Sequence, residues 1–152
     1  MITRSKVVEL SSKKFEIRRL PADTGSFIFM RMLGISMRSV AQSRENEHVA
    51  KERAEPTEAT PISGEMRVRA LSFAVFSGDI AFDDFKFIQA ACMKSVSKFN
   101  AEDMPIPIMT DNGLWTPAGE DIVANVGLLT RLTTEVLIFS FSDFFDESGP
   151  GL

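Results

Sequence analysis

The sequence predicts an α+β fold that is mainly helical, with an N-terminal β-hairpin, about four helices and one small internal β-hairpin. Three observations carry this reading. Residues 6–20 alternate apolar with charged side chains around a polar turn. Later stretches repeat apolar residues three to four apart, as a helix face requires. Asn112-Gly113 stands between two short apolar runs, the strongest local hairpin signal a sequence offers. At 152 residues, 44% of them hydrophobic, the chain fits one domain with enough length for a core.

The elements follow in order. Lys6–Leu10 and Lys14–Leu20 are the two strands, with Ser11–Lys13 as the turn. Phe15, Ile17 and Leu20 face the core, and Pro21, which has no donor for a ladder, ends the second strand. Asp23 or Thr24 caps a helix that runs through about Val40. Phe27, Met30, Leu33 or Gly34, and Met37 form its apolar stripe. Residues 41–63 are different: eight charges, two prolines and almost no large apolar side chain. Such a segment cannot bury enough area to offset its ordering entropy, so a helix extension running into an exposed or mobile linker, ending near Pro56 to Pro61, is expected there.

Glu65–Asp79 is the most apolar helix, with Met66, Ala70, Phe73 and Phe76 or Ser77 on one face, Val68, Leu71 and Val75 beside them, a stripe broad enough for a buried helix, and Gly78-Asp79 as the break. A further helix is expected over Phe82–Phe99, where Phe85, Ile88, Cys92, Val96 and Phe99 recur at helical spacing, with Lys94 and Lys98 suited to its C-terminal dipole. The small hairpin spans Pro105–Met109 and Leu114–Thr116. Thr116 as cap and Pro117 at the first helical position open the last helix, which runs to about Phe141. Ile122, Val126, Leu129, Leu132, Val136 and Phe139 make its stripe.

Composition excludes much chemistry. The only histidine, His48, lies in the charged stretch, so a histidine triad or a two-histidine metal site is ruled out. Cys92, the only cysteine, sits among Phe and Ile and reads as an inert buried thiol. The acidic groups Asp83/Asp84, Glu102/Asp103, Glu120/Asp121 and Asp143/Asp146/Glu147 fall at element ends, where capping is the default role. No phosphate loop or dinucleotide fingerprint is present. A net charge of −4 argues against nucleic acid. No uninterrupted apolar run is long enough for a membrane span. MITRSKVVEL lacks the apolar run of a signal peptide. No cofactor, no metal and a cytoplasmic location are therefore expected.

The aromatics remain: 13 Phe, one Trp and no Tyr, with eight Met beside them. These supply area and shape rather than acid–base groups. Four of the phenylalanines gather at the end of the last helix, where Phe139 continues the stripe and is expected in the core. Phe141, Phe144 and Phe145 lie beyond the point where one stripe buries everything, and are the candidate partner-binding residues.

KFEIRRLPADTGSFIFMRML from Lys14, the hairpin IPIMTDNGLW from Ile106 and the ending EVLIFSFSDFF from Glu135 together resemble the tail assembly chaperones of long-tailed bacteriophages and prophages. The resemblance spans most of the chain outside Arg38–Pro61. It implies a small, mainly helical, non-enzymatic protein that binds the tape measure protein, keeps its apolar helices from aggregating and helps recruit tail tube subunits. It also implies absence from the finished particle, a possible homo-oligomer and, in many members, a second longer form made by frameshifting, for which Asp146–Leu152 suits the short form. Two other classes stand beside this one: a structural or connector protein retained in the particle, and an apolar small-ligand domain lined by Phe73, Phe76, Phe85 and Met93.

Overall fold

The computed structural model describes residues 4–46 and 63–147. Most of the predicted linker therefore lies outside the described residues, as do His48 and the last five residues of the chain. The fold is α+β and mainly helical. Four strands, β1 (Ser5–Leu10), β2 (Lys13–Arg18), β3 (Val96–Phe99) and β4 (Pro105–Pro107), form one antiparallel sheet in the order β1-β2-β3-β4. Among the described residues five helices accompany it: α1 (Ala22–Asn46), α2 (Gly64–Phe76), α3 (Phe82–Met93), the single-turn α4 (Glu120–Val123) and α5 (Val126–Glu147).

The N-terminal hairpin is tighter than its sequence suggests. Only Ser11 and Ser12 form the turn, with φ of 53° and 62°, and β2 begins at Lys13. Two successive positive-φ residues are the signature of a type I′ turn, whose twist matches that of the flanking strands. Phe15 and Ile17 are fully buried and Leu20 nearly so, as the alternation requires.

The helix expected over 82–99 stops at Met93. Ser95 donates its N–H to the Cys92 carbonyl (3.0 Å), and the chain then extends as β3 between β2 and β4. Val96 and Phe99 share the helical spacing of Ile88 and Cys92 by coincidence. Pairing decides the outcome: Val96 lies opposite Ile17 and both are fully buried. Lys98 consequently serves no helix dipole and reaches Asp121 instead, at 2.9 Å.

The internal hairpin is also smaller than predicted. Its first arm joins β3 as β4, an edge strand on which Pro105 and Pro107, lacking donors, are tolerated. The Asn-Gly turn persists: Gly113 has φ +83°, Thr110 donates to the Leu114 carbonyl (2.7 Å), and one bridge links Met109 with Trp115.

The last helix is broken. Pro117–Gly119 is a 3-10 turn, and Thr116 donates its hydroxyl to the Pro107 carbonyl (2.6 Å) rather than capping. Past α4 the chain bends by 107°, and Asn125 Oδ1 caps α5 by accepting from Leu128 N (3.1 Å). Val126, predicted in the stripe, is therefore exposed at the first turn of α5. Leu128, Leu132, Val136 and Leu137 are buried, and α5 continues past Phe141 to Glu147.

Two helices turn a different face inward than expected. α1 starts at Ala22, Gly25 N donating to the Pro21 carbonyl (2.7 Å), and buries Ile28, Met32 and Ile35 while Phe27, Met30 and Met37 point outward. α2, capped by Ser63, buries Val68, Leu71 and Val75 and exposes Met66 and Phe73. Both helices carry two apolar stripes, and packing selects one of them: α2 lies against α5, and α1 against α2. The buried side chains of sheet and helices form one continuous cluster.

Candidate functional site

The end of β2 fastens the last turns of α5. Leu20 N donates to Ser140 Oγ (3.0 Å). Arg19 donates to the Phe139 carbonyl (2.8 Å), pairs with Asp143 (2.7 Å) and lays its guanidinium 4.5 Å from the centre of the Phe139 ring. A charge-assisted bond, a backbone bond and a cation–π contact converge on one side chain. Arg19 has no local sequence signal, because its partners lie more than a hundred positions away. Phe139 is core, as expected.

With α5 held there, an aromatic cluster forms against α1. Phe29 lies 5.2 Å from Phe141, 4.9 Å from Phe144 and 5.9 Å from Phe145 between ring centres, and Phe144 meets Phe145 edge-on at 5.4 Å. These are favourable tilted and T-shaped arrangements. Burial falls along the cluster: Phe141 is 6% exposed, Phe145 is half-buried, and Phe144 is 41% exposed. Of the three candidate residues, Phe141 thus forms the floor and Phe144 the outer wall. Phe29, the residue that ties them together, lies outside the Phe27, Met30 and Met37 stripe that helical spacing picks out, so the sequence gives it no signal of its own.

Between α1 and α5 runs a groove of about 430 Å³, lined by Leu20, Phe29, Met30 and Leu33 on one side and Phe141 and Phe144 on the other. Met30, at its rim, is 66% exposed. Gly25 lines one end, where a Cβ would meet Leu20 Cβ at 3.4 Å and the Phe141 ring at 3.8 Å, both ordinary contact distances. The lining is almost wholly apolar, and its methionines and phenylalanines supply area without demanding particular polar partners.

The remaining charges serve architecture. Most basic residues of the hairpin are paired with acids distant in sequence: Lys6 with Glu135 (3.6 Å), Lys13 with Asp121 (3.2 Å) and Lys14 with Asp103 (3.2 Å). Hydrogen bonds from Lys98 and then Lys13 hold the Asp121 carboxyl below its ordinary range. Asp84 joins α3 to α1 through Arg31 (3.1 Å). Burial pushes the Cys92 thiol far up, so no thiolate is available there. Among the described residues no group of three or more His, Cys, Asp or Glu converges as a metal site. Phe73 projects outward and Met93 is fully buried, so Phe73, Phe76, Phe85 and Met93 do not surround a common cavity. No single helix among the described residues is long and apolar enough to cross a membrane.

Fold and surface together define a small α+β scaffold whose distinctive feature is a half-exposed aromatic cluster at one helix end. The model of the phage tail assembly chaperone protein family, TAC, matches residues 11–151, and the chain belongs to that family. No curated protein and no solved structure matches it.

Proposed function

We propose that this tail assembly chaperone binds the tape measure protein, holding its apolar helices soluble in the groove between α1 and α5, and helps recruit tail tube subunits. The protein does this without catalysis and without a cofactor. It acts in the host cytoplasm and leaves before the particle is complete.

The observation that carries the reading is the graded burial of Phe141, Phe145 and Phe144 beside Phe29 and Met30. A groove that is apolar, open and rimmed by a flexible methionine accepts the apolar face of a helix, in the helix-in-groove manner. The Arg19 clamp supplies rigidity, so that client binding orders few side chains in the chaperone.

Co-expression tests the proposal. The tape measure protein should be soluble and co-purify with this chain, and should aggregate without it. A tape measure protein equally soluble alone contradicts the client role. Mass spectrometry of purified particles decides against a retained structural protein: the chain should be missing from finished tails.

A further inference from the structure

We infer that β1 is a docking edge, where an extended segment of another protein adds to the four-stranded sheet as a further strand and sets a carboxylate against Arg131. This edge is separate from the α1/α5 groove and does not depend on what that groove binds.

The two edges of the sheet are built in opposite ways. At β4 the edge is closed. Ile108 donates its N–H inward to the Val96 carbonyl (3.3 Å), so by alternation Pro105 and Pro107 turn their nitrogens outward, where neither has a proton to offer. The Pro107 carbonyl is already taken by the Thr116 hydroxyl (2.6 Å). Proline on a short edge strand is an ordinary guard against further pairing.

At β1 the edge is open. The strand is six residues long, with no proline and an unbroken register. Its turn is the pair Ser11 and Ser12, which makes Leu10 and Lys13 a hydrogen-bonded pair; Val8 and Lys6 then bond to β2 as well. Two further bonds fix the same phase. Arg19 donates its N–H to the Arg4 carbonyl (3.3 Å), and its neighbour Arg18 donates the other way, to the Ser95 carbonyl (2.9 Å). Ser5, Val7 and Glu9 therefore turn their N–H and C=O groups away from β2, and among the described residues no strand takes them up. Donors and acceptors in this spacing are the complement of another extended backbone, as in strand addition.

The surface beside β1 selects the segment. A recess of about 300 Å³ is bounded by Leu10 of β1, Arg69 of α2, and Arg131 and Glu135 of α5. Side chains on the inner face of an added strand continue the rows of Lys6, Val8 and Leu10 and reach this recess. Glu135 is already shared by Lys6 (3.6 Å) and Arg69 (3.4 Å), and Arg69 also holds Glu65 (3.1 Å). Arg131 is exposed and forms no ion pair among the described residues. An acidic residue on the incoming strand compensates that charge, and a lysine there is repelled.

The probe is a labelled peptide of alternating valine and threonine with one glutamate in the valine phase, added to the full chain. It should bind, and lysine in place of the glutamate should weaken binding roughly tenfold. Val7→Pro removes one outward N–H and none of the bonds to β2. Its melting temperature should stay within a few degrees of the parent while peptide affinity falls at least about tenfold. Arg131→Gln should make the glutamate and lysine peptides bind alike. Amide exchange reads the edge directly: Val7 and Glu9 should exchange fast in the free chain and slowly in the complex, with Val8 slow in both. No binding at about 1 mM peptide overturns the inference, as does unchanged affinity in Val7→Pro or a glutamate preference that survives Arg131→Gln. Slow exchange at Val7 and Glu9 in the chain alone overturns it too. If independent of concentration, the chain covers its own edge; if it sets in with concentration, a second copy does.

Discussion

α5 and α2 are built from the same kinds of residue and end in different situations. In the middle of α5 four consecutive residues, Val136, Leu137, Ile138 and Phe139, are all buried, because β2, α2 and α3 close around it. α2 packs on α5 and α1 and leaves its Met66–Phe73 face outward. Toward its C-terminal end α5 itself changes character, from Leu132 and Val136, fully buried, to Phe144 in the open. Apolar content therefore does not separate core from contact surface. The number of neighbours that arrive on each side does.

Replacing a residue of the enclosed part breaks the molecule. Leu132→Asp should abolish folding, since an unpaired carboxylate there costs several kcal/mol or must stay protonated. Ile88→Asp on α3, buried against the same core, should do likewise. Circular dichroism and solubility check both, and an unchanged melting curve would place these faces at the surface. Phe141→Ala should be next, at about 3 kcal/mol, in keeping with a buried aromatic, while Phe144→Ala should cost about 1 kcal/mol or less. Equal losses from urea denaturation would erase the gradient on which the groove depends.

Gly119→Ala probes the joint before α4. A Cβ there would stand 2.5 Å from the Ile108 carbonyl oxygen and 2.7 Å from the Trp115 ring. Backbone must shift to admit it, so a loss of about 1–3 kcal/mol is expected. A neutral result would mean that the 3-10 turn is free to move.

The N-terminal hairpin and the number of long helices were legible in the sequence; the joining of the strands into one sheet and the inward faces of the helices were not. In Phe27–Met37 apolar residues occur on nearly every side, so periodicity admits two stripes, and only tertiary packing, in which α2 lies against α1, chooses Ile28, Met32 and Ile35. Val96–Phe99 is too short to announce itself as a strand, and its identity comes from β2 and β4 on either side. The candidate site divides in the same way. Phe141, Phe144 and Phe145 stood out as a run of aromatics, while Phe29 and Arg19, which hold them, are visible only once distant segments meet.

The smallest expected effect concerns Asp121, shared by Lys98 and Lys13. Its carboxyl is lowered in the folded protein, so its stabilising contribution is present above the unfolded value of about 3.9 and is lost as pH falls through the folded one. Asp121→Asn should therefore lower the urea midpoint slightly at pH 7. The difference should vanish in strong acid and shrink in high salt, since the group is exposed. A deficit that persists at low pH would point to packing rather than charge.

The central claim is that the open end of the α1/α5 groove receives the tape measure helix. The double variant Met30→Ser with Phe144→Ser removes the two exposed walls and leaves Phe29 and Phe141 in place. Its melting temperature and its co-purification with the tape measure protein, measured on the same preparation, test the claim most directly. The account predicts a melting temperature within a few degrees of the parent and loss of the client, since aromatic anchors at the centre of an interface contribute about 2 kcal/mol or more. Full retention of the tape measure protein by the folded variant would contradict it.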